Sequence, residues 1–144
     1  MCRDVTVAAA QIEVIELDGR HNKKRIISML EAARNQDVDI VCFCEGSLTG
    51  WFVDAGKLAV LSALHSDIAL AMGEIANACA KHDVNAIVGQ VKPDGGGYWN
   101  EAVAITNKGG QRAIHSKRLL TPGEKQCNYH SSCPPISSSS MHGM

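Results

Sequence analysis

The sequence has no excess of charge of either sign. Lys and Arg number 14 against 15 Asp and Glu, a formal net charge of -1, so it carries no electrostatic footprint for nucleic acid or an anionic membrane. No apolar run is long enough to span a bilayer. The opening residues, MCRDVTVAAAQIE, lack a basic stretch followed by a long apolar one, so no secretory signal is expected. Internal repeats are absent as well. The glycines at 95–97 lack the G-x-x-x-x-G-K-[ST] spacing of a phosphate loop, and a strand rather than a helix is expected after them. What remains is 45% hydrophobic and 20% charged over 144 residues, the composition of one globular domain with a sizeable core. The six cysteines are Cys2, Cys42, Cys44, Cys79, Cys127 and Cys133. Three of them fall inside expected core elements, and without a signal the expectation is reduced thiols in a cytoplasmic protein.

Residues 5–11, VTVAAAQ, read as a strand of small apolar side chains suited to a covered sheet. Apolar positions Ile26, Ile27, Leu30 and Ala33 recur at helical spacing over residues 20–35, with Asp18 as cap. A second strand is expected at 39–43. Ser66 is placed to cap a second helix, with Ile68, Met72, Ile75 and Cys79 as its stripe and Lys81 and His82 in its last turn. Strands at 86–90, 100–106 and 112–116 follow, the last two joined by a tight reversal at Lys108, Gly109 and Gly110. Strands alternating with helices predict an α/β layered fold. The end of the chain, HSSCPPISSSSMHGM, has the composition of a disordered tail. Residues 1–126 are read as the domain and 127–144 as the tail.

The stretch VDIVCFCEGSLTGW places a carboxylate, Glu45, at the end of a core strand. In open α/β sheets, sites form outside the carboxyl ends of the strands. Lys117 stands at the corresponding point after the last strand, and the two could share one rim although 72 positions apart. A carboxylate facing an ammonium suits a general base beside an oxyanion stabiliser. On residue chemistry alone the commoner account is a turn-capping Glu45 and a solvated Lys117. Trp51 and Phe52 are open to two readings, pocket lining and rim packing.

Together "VAAAQIE", "DIVCFCEGSLTGW", "YWNEAVAITNKGG" and "IHSKRLLTPGE" resemble the N-terminal half of the nitrilase, or carbon–nitrogen hydrolase, superfamily. The resemblance covers roughly the first 125 residues, with the motifs in order. It implies the N-terminal half of an α-β-β-α sandwich. It implies hydrolysis of a non-peptide C–N bond (amide, N-carbamoyl or nitrile) in a small molecule, through a cysteine thioester and with no metal or organic cofactor. Carried over by position, Glu45 is the general base and Lys117 stabilises the tetrahedral intermediate. Glu124 stands at a loosely matching spacing for the family's supporting glutamate. The full-length family form is expected to be a homo-oligomer, with no nucleic-acid or membrane partner.

The chain departs from the pattern in several places. Cys44 stands where the family usually has Pro, and His115 and Leu119 replace an aromatic and a His around Lys117. The family's nucleophile follows a further strand at a sharp turn into a helix. Neither Cys127 nor Cys133 follows a strand-like run, so the nucleophile is expected to be absent from this chain. Cys42 and Cys44, on the strand face opposite Phe43, are expected to be core or supporting thiols. Cys127, His130, Cys133 and His142 match no standard zinc spacing, and no metal site is expected. The alternative function is an inactive interaction or dimerisation module. A flavodoxin-like binder is disfavoured because no strand-to-helix turn has a phosphate-cradling pattern. The face of the sheet turned toward a missing partner sheet is expected to draw on Val7, Ile40, Val88, Val103 and Ile105, depending on register.

Overall fold

The computed structural model describes residues 4–131. The elements are β1 (Val7–Ala10), α1 (Gly19–Arg34), β2 (Ile40–Phe43), α2 (Ala55–Ala63), α3 (His65–His82), β3 (Asn85–Asp94), β4 (Gly97–Ile105), β5 (Gln111–Ser116) and α4 (Pro122–Gln126). They form one five-stranded sheet in the order β1-β2-β3-β4-β5. The first three strands run parallel and the last two return antiparallel. The α/β architecture expected from the sequence is present.

Local chemistry accounts for most element ends. Asp18 caps α1 by accepting from the His21 N–H at 2.9 Å. The β3–β4 hairpin closes on Gly95 and Gly96, with φ of +55° and +99°. Two successive positive φ values are what a two-residue hairpin turn requires, and glycine supplies them without strain. The turn cluster expected before the fourth strand is therefore the tip of a long hairpin.

Two helices lie outside the sequence expectation. α2 is capped by Asp54, which accepts from the Lys57 N–H at 2.8 Å. It runs almost directly into α3, and Leu64 closes the one and opens the other. Ser66 is accordingly no cap: α3 starts at His65 without a side-chain cap, because the backbone before it is already helical. α4 begins with a capping box, Thr121 to Glu124, with Pro122 in its first turn. That signature is in the sequence. The segment read as tail is anchored at its start. Tyr129 is buried, bridges to Tyr98 and donates from its hydroxyl to the Phe52 carbonyl at 2.8 Å. The rest of the tail, residues 132–144, lies outside the described residues.

Helices α1 and α3 pack against each other on one face of the sheet. Ile26 and Leu30 of α1 and Ile68, Met72, Ile75 and Cys79 of α3 meet Val41, Phe43, Ala86, Val88, Val103 and Ile105 in a continuous core. Val88, Val103 and Ile105 thus belong to the helix side, a correction to their expected place on the open face. Their register partners show why: Val88 pairs with Val103 and Ala86 with Ile105, so all four project together. The other face carries one row of Ala9, Cys42, Ile87, Ala104 and Ala113, flanked by Val7 and Ile40. No described residue covers it: Val7 is 59% exposed and Ile87 36%. The chain forms one helix-covered sheet, half of a sandwich.

Candidate active site

β2 ends at Phe43, but β3 continues for several residues beyond the last β2 pairing at Ile87. The segment 44–50 takes over as its neighbour, using side chains where backbone pairing has stopped. The Gly89 N–H donates to Ser47 Oγ at 2.9 Å, and the Val91 N–H donates to Thr49 Oγ1 at 2.8 Å. Between them the Leu48 N–H donates to the Gly89 carbonyl at 2.9 Å. Ser47 and Thr49 are fully buried, so the small, turn-prone stretch after Glu45 is a hydrogen-bonding strap that satisfies β3. Gly46 and Gly50 hold φ of +62° and +82°, and the Gly50 N–H closes on the Gly46 carbonyl at 2.7 Å. Gly89 permits the close approach. A Cβ there would lie 2.5 Å from the Cys44 carbonyl oxygen and 2.7 Å from the Gly46 nitrogen.

This strap presents Glu45 at the sheet rim, with its side chain 52% exposed. Lys117 follows β5 at the same rim, its own N–H donating to the Asn100 carbonyl at 2.8 Å. Its ammonium donates to Glu45 Oε1 at 3.2 Å and to Glu124 Oε1 at 3.1 Å. Asn100 of β4 closes the group: its Nδ2 donates to Glu45 Oε1 at 2.6 Å and to Glu124 Oε1 at 3.2 Å. Trp51 donates from Nε1 to Glu124 Oε1 at 2.9 Å, and the Lys117 ammonium lies 5.7 Å from the centre of its ring. The second oxygen of Glu124 accepts the Thr121 N–H at 2.8 Å, the return bond of the capping box.

Glu124 has no exposed side-chain surface. Burial pushes its carboxyl up, but the Thr121 N–H and the donors on Trp51, Lys117 and Asn100 outweigh it and bring the pKa to about 2. For Lys117, burial works against the charge, whereas the hydrogen bonds and charges of Glu124 and Glu45 hold it on the ammonium, and the net shift is upward. Two carboxylates and one ammonium give the group a net negative charge, held in place by neutral donors. Such a group can take a proton on its exposed carboxylate and offer positive charge to a developing oxyanion.

The three site residues expected from the sequence therefore meet at one point. Glu124, at a loosely matching spacing, is the most buried of them. Asn100 and Trp51 lie within the quoted motifs, but the sequence points neither of them at the carboxylates, since only the folded chain aims them there. Phe52 is packed in the core and Trp51 is part of the cluster. A pocket of about 370 Å³ opens over the cluster, lined by Cys44, Glu45, Asn100, His115 and Lys117 among others. Cys44 is exposed there rather than in the core, because Val41 and Phe43 take the helix side of β2 and the alternation leaves Cys42 and Cys44 on the open one. Cys127 caps the end of α4, and Cys133 lies outside the described residues. The His130 ring meets that of Trp99 at a 45° tilt, centroids 4.6 Å apart, with its Nε2 3.1 Å from the Asp94 carbonyl oxygen. Among the described residues no group of His, Cys, Asp and Glu has the arrangement to hold a metal ion, and no single helix is long and apolar enough to cross a membrane.

The fold recurs in solved structures. A glutamine-dependent NAD(+) synthetase from Cytophaga hutchinsonii superposes with a TM-score of 0.76 at 21% identity, over 88% of this chain and 22% of that one. An amidase from Nesterenkonia sp. gives a TM-score of 0.76 at 16% identity, over 91% of this chain and 49% of that one. A mutant of that amidase gives 0.75 at 17% identity over the same shares, and it shows covalent addition of the acetamide moiety of fluoroacetamide at the active-site cysteine. The chain thus spans about half the length of these amidases and less of the synthetase. No curated protein is significantly similar to it in sequence. The family model for carbon–nitrogen hydrolases matches residues 6–141, past the point near Glu124 where the motifs above end. That match takes in nearly the whole sequence, and the chain belongs to the carbon–nitrogen hydrolase family.

Proposed function

We propose that the chain supplies the base and the cationic group of a hydrolase acting on a non-peptide C–N bond, in an amide, an N-carbamoyl compound or a nitrile. The observation that carries this reading is one ammonium, Lys117, bonded to two carboxylates, Glu45 and Glu124, at the rim of the sheet. In an amide substrate, Glu45 takes the proton of a cysteine thiol. The sulfur then attacks the carbonyl carbon, and Lys117 faces the oxygen that becomes negative. The C–N bond breaks as Glu45 returns its proton to the departing amine, and water cleaves the thioester to the acid and the free thiol. We place the thiol that takes this role outside this chain: Cys127 closes α4, Cys133 follows no strand-like run in the sequence, and Cys44, which lines the pocket, is read as a supporting thiol beside the base. Glu124 supports the site by holding Lys117 in place and charged. No metal or organic cofactor is required, and the substrate is a small molecule.

The test has two arms. The chain as given should release no ammonia from simple amides, N-carbamoyl amino acids or nitriles, and a form extended through a further strand, cysteine and helix should. In that form Glu45→Gln and Lys117→Ala should each lower kcat at least about a hundredfold, in the range of a lost general base or oxyanion donor. Turnover by the given chain that disappears on changing Cys44, Cys127 or Cys133 would overturn the placement of the nucleophile. Undiminished turnover in the extended Glu45→Gln variant would overturn the base. A second reading, an interaction module that has kept the fold without the chemistry, is favoured by the uncovered sheet face around Val7 and Ile87. Inactivity of both forms would select it.

A further inference from the structure

Glu45 has two oxygens, and the described residues treat them differently. Oε1 accepts from Asn100 at 2.6 Å and from Lys117 at 3.2 Å. No hydrogen bond from a described residue reaches Oε2, although half of the side chain is exposed. A carboxylate oxygen already accepting two charge-assisted bonds is a poorer proton acceptor than its free twin. Asn100 is only 6% exposed. Its backbone carbonyl is taken by the Lys117 N–H, so β4 and β5 fix its main chain while the amide spans both carboxylates.

We propose that Asn100 is the positioning residue of the site: its Nδ2 clamps Oε1 of Glu45 to Oε1 of Glu124, leaving Oε2 of Glu45 as the oxygen that takes the proton. The inference rests on the reading of Glu45 as a base, and it adds the atom and the residue that selects it. Lys117 alone could not do this. An ammonium on a long, rotatable stem is a point charge that follows either oxygen of Glu45. The Asn100 amide is planar, short and buried, with its donors in fixed directions. It also adds no charge, so it brings two carboxylate oxygens to one nitrogen without neutralising either of them.

The experiment is side-chain amide hydrogen exchange of Asn100, followed by 15N NMR in the extended form described above. The wild type should show a protected Nδ2 group. Glu45→Ala removes a half-exposed side chain, so the variant keeps its core. It should speed exchange of the Asn100 amide about tenfold to a hundredfold, the size expected for losing a bond to a charged acceptor, and should shift its resonances. Asn100→Ser, read in the reverse direction, should let the Glu45 side chain sample more than one rotamer in its three-bond couplings. Should Asn100→Ser fail to fold, the Glu45→Ala arm decides by itself. An Asn100 amide indifferent to Glu45→Ala, or unprotected in the wild type, would overturn the clamp. A purely structural Asn100 would give that indifference. The exchange readout does not depend on turnover, so loss of the clamp and failure of the hydrolase reading are separately visible.

Discussion

Glu124 meets the cost of its burial with four donors, and this ties its ionisation to the stability of the fold. Its pKa falls from an ordinary 4.5 to about 2, so the carboxylate form is the one the fold favours. That stabilisation is fully present above the unfolded value and is lost as pH falls from about 4.5 toward 2, to a total on the order of 3 kcal/mol. Urea unfolding between pH 6 and pH 2 should show this decline, and Glu124→Gln should flatten it. A variant profile parallel to the wild type would show that other carboxylates are responsible. Gly89 makes a second prediction at this scale. Gly89→Ala drives a Cβ into the backbone of residues 44 and 46, which cannot give way as a side chain can. A loss of about 1–3 kcal/mol is expected, as for overpacking elsewhere, together with displacement of Glu45. Thermal unfolding measures the first, and exchange of the Asn100 side-chain amide reports the second.

At the scale of elements, the strap after β2 and the short α4 are the parts that build the site. Each rests on hydroxyl groups used in place of backbone partners. Thr49→Val keeps the shape of a fully buried side chain but leaves the Val91 N–H without its acceptor. The expected cost is about 1–3 kcal/mol, that of an unsatisfied buried donor, seen as a lower urea midpoint with unchanged slope. Thr121→Ala removes the cap that accepts the Glu124 N–H at 3.2 Å. A cap of this kind is worth about 1 kcal/mol. A change no larger than that of an exposed alanine substitution, within about 0.5 kcal/mol, would show that α4 is held by Tyr129 and Trp51 instead.

The described residues form a sheet with helices on one side, and none of them covers the other. Val7, Ile40 and Ile87 stand on that open face among alanines, so the apolar surface is contiguous rather than scattered. The expected behaviour of the 144-residue chain is self-association, or stable folding only with a partner that covers this face. Sedimentation velocity at several concentrations checks it. Ile87→Lys, at a position already partly exposed, should shift the distribution toward monomer without disturbing the helix-side core. A monodisperse monomer that unfolds cooperatively without that substitution would show that the open face needs no cover.

The alternation of strands with α1 and α3 and the cap at Asp18 were readable in the sequence, because each depends on residues close together, and the pairing of Glu45 with Lys117 was reached through a family motif that carries its spacing with it. The helix at Ala55–Ala63 was passed over although Asp54 and the spacing of Leu58 and Leu61 marked it, since a stretch of alanine, valine and leucine suits strand and helix alike. The sides of the sheet were not readable. Val88 and Ile87 are adjacent and equally apolar, and only the register against β2 and β4 sends one to the helices and the other to the open face. Nor could the sequence show that Asn100 and Trp51 converge with Glu124 on Lys117, because they come from β4 and the turn after the strap, and what joins them is distance in space. Local chemistry set most of the elements, and the family motifs named the charged pair. The long-range packing of one face of a sheet decided which oxygen, amide and indole would surround it.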